Sequence, residues 1–86
     1  MWVMVMFDLP TQTKVERRIY TQFRNQLIKQ GFVMLQFSIY ARACATWEAA
    51  DKHAAAVEAV LPSGGEVRIL QLTAAQFARM KRCQVH

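Results

Sequence analysis

The chain predicts one α+β domain whose elements follow the order β-α-β-β-α-β. Three observations carry this. Residues 2–7 are an apolar run without helical period, short enough for a strand. Two later segments, opening at Thr13 and Thr46, repeat apolar residues at helical spacing. Residues 32–43 and 67–72 are rich in β-branched, aromatic and other apolar side chains, as strands are. This order is the ferredoxin-like arrangement: an antiparallel sheet with two helices on one face.

In the first strand Val3, Val5 and Phe7 point one way, and Trp2, Met4, Met6 and Asp8 the other. A strand apolar on both faces belongs at the centre of a sheet and is covered on both sides. Pro10 biases Leu9 out of helical geometry, so Leu9, Pro10, Thr11 and Gln12 form a loop. Thr13-Lys14-Val15-Glu16 fits a capping box, in which the Thr13 hydroxyl and the Glu16 carboxylate each accept from a free backbone N–H. Val15, Ile19, Phe23 and Leu27 make the buried stripe of the first helix, and Gly31 stops it.

Residues 32–43 are long for one strand and divide into two, turning near Gln36 and Phe37. Phe37, Ile39 and Ala41 share one face of the second piece, and Ser38, Tyr40 and Arg42 the other. Thr46 caps a second helix that runs to about Leu61, with Trp47, Ala50, Ala54, Val57 and Leu61 as its buried stripe. Pro62-Ser63-Gly64-Gly65 ends it. In the last strand Val67 and Ile69 oppose Arg68, Leu70 and Leu72. Thr73 is placed to cap a helical turn through Phe77. The domain spans residues 1–78, and residues 79–86 form a C-terminal edge strand or tail.

Eighty-six residues leave no room for a second domain, and 53% hydrophobic residues are too many for a disordered chain. Two short helices on one sheet face leave the other face apolar, with Met4, Met6, Leu70 and Leu72 in need of cover. A two-fold homodimer that apposes the sheet faces is the economical solution. Cys44 and Cys83 have neither disulfide-framework nor metal-ligand spacing, which is expected of reduced thiols in a cytoplasmic protein. The apolar start stops at Asp8, lacks a basic leader and is too short to span a bilayer, so neither a signal peptide nor a membrane anchor is expected.

The formal net charge is +5, with seven arginines to four lysines. That surplus favours polyanions, nucleic acid first, and arginine pairs bidentately with phosphate. Lys14, Arg17 and Arg24 share a face of the first helix with Arg18 alongside, a candidate phosphate-gripping surface to which Arg42 is expected to add a further nucleic-acid contact. The topology is expected to gather Asp8, the Thr13 helix start, Arg17, Arg42 and Glu66 at one sheet edge. Asp8 then has two readings. It caps the following turn through an Asx hydrogen bond, or it meets its two-fold copy in a magnesium site that activates water and stabilises charge on a scissile phosphate. Glu16 is a cap, His53 and His86 are surface residues without ligand partners, and Ser38 lacks an activating histidine.

Taken together, VMVMFDLP, TKVERRIYTQFRNQL, GFVMLQFSIYAR and VRILQLT resemble, in order, the smaller of the two universal CRISPR-associated spacer-acquisition proteins, in its type II-like variety. That family is also described as a CRISPR-associated endoribonuclease. The resemblance implies a ferredoxin-like homodimer with Mg²⁺, or another divalent metal, at Asp8, and a metal-dependent endonuclease activity that differs between members. It also implies a bridge between dimers of a partner integrase that binds the double-stranded DNA of new spacers, and RNA as an alternative ligand. Two departures stand out: Phe7 occupies a position that is often Tyr, and residues 79–86 are short for the strand that commonly completes the partner's sheet. The alternative readings are a stand-alone, toxin-like endoribonuclease of the same fold and a regulatory ferredoxin-like domain with no enzymatic role.

Overall fold

Strand β1 (Trp2–Asp8) is hydrogen-bonded along both edges, antiparallel to β3 (Ile39–Ala43) on one side and to β4 (Glu66–Leu72) on the other. A short edge strand, β2 (Val33–Gln36), completes a four-stranded sheet in the order β2-β3-β1-β4. Helix α1 (Lys14–Lys29) joins β1 to β2, and α2 (Trp47–Glu58) joins β3 to β4. A third, short helix, α3 (Ala74–Ala78), follows β4. The computed structural model describes residues 1–85, so the reading of His86 as a surface residue lies outside it. The antiparallel ferredoxin-like order expected from the sequence is the one observed.

The register divides the sheet into two faces. Val3, Val5, Phe7 and Tyr40 face the helices and pack with Phe23 and Leu27 of α1 and with Ala50, Ala54 and Val57 of α2. Phe7 lies 5.1 Å from Phe23, edge to face, and 5.8 Å from Tyr40 between ring centroids. Geometries of this kind add about 1 kcal/mol each beyond the area buried. Tyr40 is therefore a core residue.

Four members of the expected stripes lie outside the core: Val15, Trp47 and Leu61 are exposed, and Ile19 is half-buried. Val15 is 63% exposed and Trp47 is 45% exposed, each within the first turn of its helix. Those turns are held by capping. Thr13 Oγ1 accepts from the Glu16 N–H at 3.1 Å, Glu16 Oε1 accepts from the Thr13 N–H at 2.9 Å, and Thr46 Oγ1 accepts from the Ala49 N–H at 3.1 Å. Leu61 is exposed because α2 ends at Glu58, earlier than the apolar spacing indicated.

The second face carries Trp2, Met4, Met6 and Asp8 of β1 beside Ile39 and Ala41 of β3 and Arg68, Leu70 and Leu72 of β4. Met4, expected to await a partner, is already buried within one chain, whereas Leu70 stays exposed. One end of this face is closed from within. The Phe77 ring of α3 stacks on Trp2 with centroids 3.9 Å apart and planes 7° from parallel. A capping box fixes α3, with the Thr73 hydroxyl accepting from the Gln76 N–H and the Gln76 side chain accepting from the Thr73 N–H. Residues 80–85 carry no regular secondary structure.

Burial at Leu27 and exposure at Val15 separate the two ends of α1. Leu27→Ala is expected to lower the unfolding free energy by about 2–5 kcal/mol in urea titrations, and Val15→Ala to change it by less than about 0.5 kcal/mol. Equal losses would contradict the assignment of the stripe.

Candidate functional site

Asp8 is the last residue of β1 and stands directly opposite Glu66, the first of β4. Directly opposed residues share a sheet face with Cβ atoms roughly 5 Å apart, which brings two carboxylates together at the sheet edge. Glu66 is paired with the Arg68 guanidinium two residues on, both side chains being largely exposed. Among the described residues no hydrogen bond or ion pair engages the Asp8 carboxylate, and the residue is exposed. The Asx-cap reading is therefore not realised. The loop after Asp8 is held instead by Arg17, whose Nη1 donates to the carbonyls of Thr11 at 3.2 Å and Gln12 at 3.1 Å.

A groove of about 300 Å³ opens beside Asp8, lined by Met6, Phe7, Asp8, Phe37, Ser38, Ile39, Glu66 and Arg68. Its far wall is the β2–β3 turn. Ser38 adopts a φ of +64°, its hydroxyl shares a 3.0 Å hydrogen bond with the Tyr20 hydroxyl, and its carbonyl accepts from the Phe7 N–H at 3.0 Å. Phe37 is 77% exposed, with its ring 5.7 Å from that of Tyr20 and nearly parallel to it. Ser38 thus orders the turn and takes no part as a nucleophile.

Gly65 sets the position of Asp8 from the other side. Its φ is +77°, and a Cβ there would lie 2.6 Å from the Asp8 carbonyl oxygen and 2.6 Å from Leu9 Cδ2. Sequence reasoning treated this glycine only as the end of a turn and placed neither Arg68 nor Gly65 at the site. The available signal was Glu66-x-Arg68, since residues two apart on a strand share a face.

The sequence grouping of Arg42 with Asp8 is corrected by the register. β3 runs antiparallel to β1, so Arg42 pairs with Val3, five residues from Asp8 and about 17 Å away along the strand. The start of β3 lies near Asp8, while its end and the start of α2 lie at the opposite edge. Arg42 turns to the helix face, where its Nη1 donates to the Gln30 carbonyl at the end of α1. There a cation complements the helix C-terminus. Lys14, Arg17 and Arg18 are exposed and Arg24 is half-buried; the four fall within an arc of about 120° at 100° per residue.

One chain offers no group of three or more His, Cys, Asp or Glu side chains able to hold a metal, among the described residues. Its donors at this edge, the free Asp8 carboxylate with Glu66 opposite, suit a hard divalent ion that keeps most of its waters. The residues present fit magnesium bound by few protein ligands and do not build a closed cage.

The description "CRISPR associated protein Cas2" belongs to a family model that matches residues 1–80. This chain belongs to the Cas2 family. It is 49% identical to the CRISPR-associated endoribonuclease Cas2 of Parvibaculum lavamentivorans over 81 residues, 94% of this chain and 80% of that one. The protein of the same name from Flavobacterium psychrophilum is 44% identical, over 94% of this chain and 70% of its own length. The crystal structure of Streptococcus pyogenes Cas2 at pH 6.5 superposes with a TM-score of 0.69, covering 98% of this chain and 100% of that one at 18% identity, which shows the shared Cas2 fold. Among the described residues no helix is long and apolar enough to cross a membrane.

Two measurements check these placements. Ala at Gly64 meets nothing within 4 Å and bears only the backbone strain of a φ of +82°, about 1–2 kcal/mol. Ala at Gly65 also meets the Asp8 backbone, so Gly65→Ala should destabilise by more than Gly64→Ala; equal melting shifts would contradict the contact. Burial, then the charges of Arg42 and Lys52, hold His53 below its ordinary imidazole pKa. The unfolded chain then takes up this proton first, so the His53 contribution is complete above about pH 6.5 and is lost as pH falls. Urea midpoints between pH 7.5 and 5.5 should fall less in His53→Gln than in the parent, and parallel falls would remove His53 from the account.

Proposed function

We propose that this chain is a magnesium-dependent endonuclease of CRISPR spacer acquisition that acts as a homodimer, binds duplex nucleic acid and bridges a partner integrase. The observation that carries the reading is the Asp8 carboxylate, exposed and unengaged at the end of a buried strand, next to a basic helix start. The names of the relatives support a nuclease, and the exposed apolar residues of the open sheet face support a second copy as its cover.

In this reading a two-fold axis at the open face would bring the Asp8 residues of two chains together, and their carboxylates would hold the ion. When bound, Mg²⁺ supplies Lewis-acid stabilisation of charge on a scissile phosphate. Phe7 and Gly65 fix where Asp8 begins and ends its reach. Lys14 and Arg18 extend into solvent from the first turns of α1 and contact backbone phosphates. Arg17 keeps the loop beside Asp8 in shape and offers its remaining N–H groups outward.

Cleavage and binding are separable. With RNA and DNA substrates assayed in parallel, Asp8→Ala or chelation of divalent ions should abolish cleavage while duplex affinity is kept. Lys14→Glu with Arg18→Glu should weaken duplex binding at least tenfold at low salt, as expected when phosphate contacts turn repulsive. Persistent cleavage by purified Asp8→Ala would remove Asp8 from the site. Growth arrest by the chain expressed without an integrase, relieved by Asp8→Ala, would favour the stand-alone ribonuclease. Failure to bind any nucleic acid at low salt would favour the regulatory domain.

A further inference from the structure

A second cluster of positive charge lies away from both Asp8 and the basic face of α1. Arg79, Lys81 and Arg82 occur within four residues, and no acid follows Glu66. Without these three the formal net charge drops from +5 to +2. All three are exposed, and among the described residues none has a hydrogen-bond or ion-pair partner through its side chain. An unpaired cluster that holds most of a protein's charge surplus is the electrostatic footprint of a polyanion contact.

The cluster is presented from a fixed base. The Trp2–Phe77 stack pins α3 to the sheet at the opposite end of β1 from Asp8, and the box between Thr73 and Gln76 closes its first turn. Beyond it the Arg79 N–H donates to the Gln76 carbonyl at 3.2 Å and the Met80 N–H to the Phe77 carbonyl at 3.1 Å. The backbone is therefore directed as far as Met80, and the cations start from a defined point. Trp2 and Asp8 are six residues apart on β1, roughly 20 Å.

We propose that Arg79, Lys81 and Arg82 form a second phosphate-binding site, separate from the α1 face, that takes the backbone of duplex nucleic acid. This rests on the nucleic-acid-binding function proposed above and adds a second point of contact with the phosphate backbone. It would fix the duplex in direction as well as in place, because the two clusters differ in position and number of charges.

The test compares the full chain with a triple variant, Arg79→Gln, Lys81→Gln and Arg82→Gln, and with a control in which Lys29→Gln and Lys52→Gln remove charge elsewhere. Affinity for a 25-base-pair duplex is measured between 50 and 200 mM salt. Three phosphate contacts steepen the salt dependence by about 2.7 units, so the parent should lose about 40-fold more affinity across that range than the triple variant. The control should lose as much as the parent, and circular dichroism should report all three as folded. If the parent binds and the triple variant keeps the parental salt slope, the tail is not a phosphate site and the α1 reading stands. If the control flattens the slope as much as the triple variant does, net charge alone is responsible and the site is refuted. If the parent binds no duplex at any salt concentration, the nucleic-acid-binding function and the tail site both fall.

Discussion

The structure depends on β1 being paired along both edges and packed on its helix face. Seven residues carry the ladder to β3, the ladder to β4 and the aromatic contacts of Phe7. A strand so constrained cannot slip by one residue, because slippage would turn Val3, Val5 and Phe7 out of the core and Met4, Met6 and Asp8 into it. The same constraint delivers a carboxylate to solvent at a fixed place. Asp8 is the last residue of the strand, and it remains exposed where β4 begins.

Around that strand the two faces of the sheet do different work. The helix face is closed by Phe23, Leu27, Ala50, Ala54 and Val57 and holds the chain together. Small residues in α2 let that helix approach the sheet closely, while α1 contributes the larger side chains. The other face is closed only at the Trp2 end by Phe77 and leaves Leu70 exposed. The carboxylates of Asp8 and Glu66 stand at one end of β1 beside the basic start of α1, and the cations beyond α3 leave from the other end.

Most of the fold was legible because period and caps agreed. The two-sided apolar run of β1, the box at Thr13 and Glu16 and the cap at Thr46 are local signals that tertiary contacts did not override. Exposure within the first helical turns was not legible, since Val15 and Trp47 satisfy the apolar spacing but sit where capping replaces burial. Asp8 could be singled out from the sequence as an acid closing an apolar strand. Arg42 was placed at the wrong edge because strand direction was overlooked in grouping the ends of β1 and β3, although antiparallel pairing sets those ends apart. Gly65 carried no visible link to Asp8, because a missing Cβ becomes meaningful only once the opposing backbone is known. The similarity to Cas2 rested on four segments in order, which supply β1, α1, the β2–β3 hairpin and most of β4, while Gly65 and Glu66 at the site lie just before the last of them.

The central claim is that the site at Asp8 belongs to two chains, with the open sheet faces together and one divalent ion shared between the paired carboxylates. Isothermal titration of the purified chain with Mn²⁺, with its mass in solution determined on the same sample, tests this most directly. The account predicts a dimer that binds one ion per two chains. A monomer, or one ion per chain bound without regard to association, would contradict it.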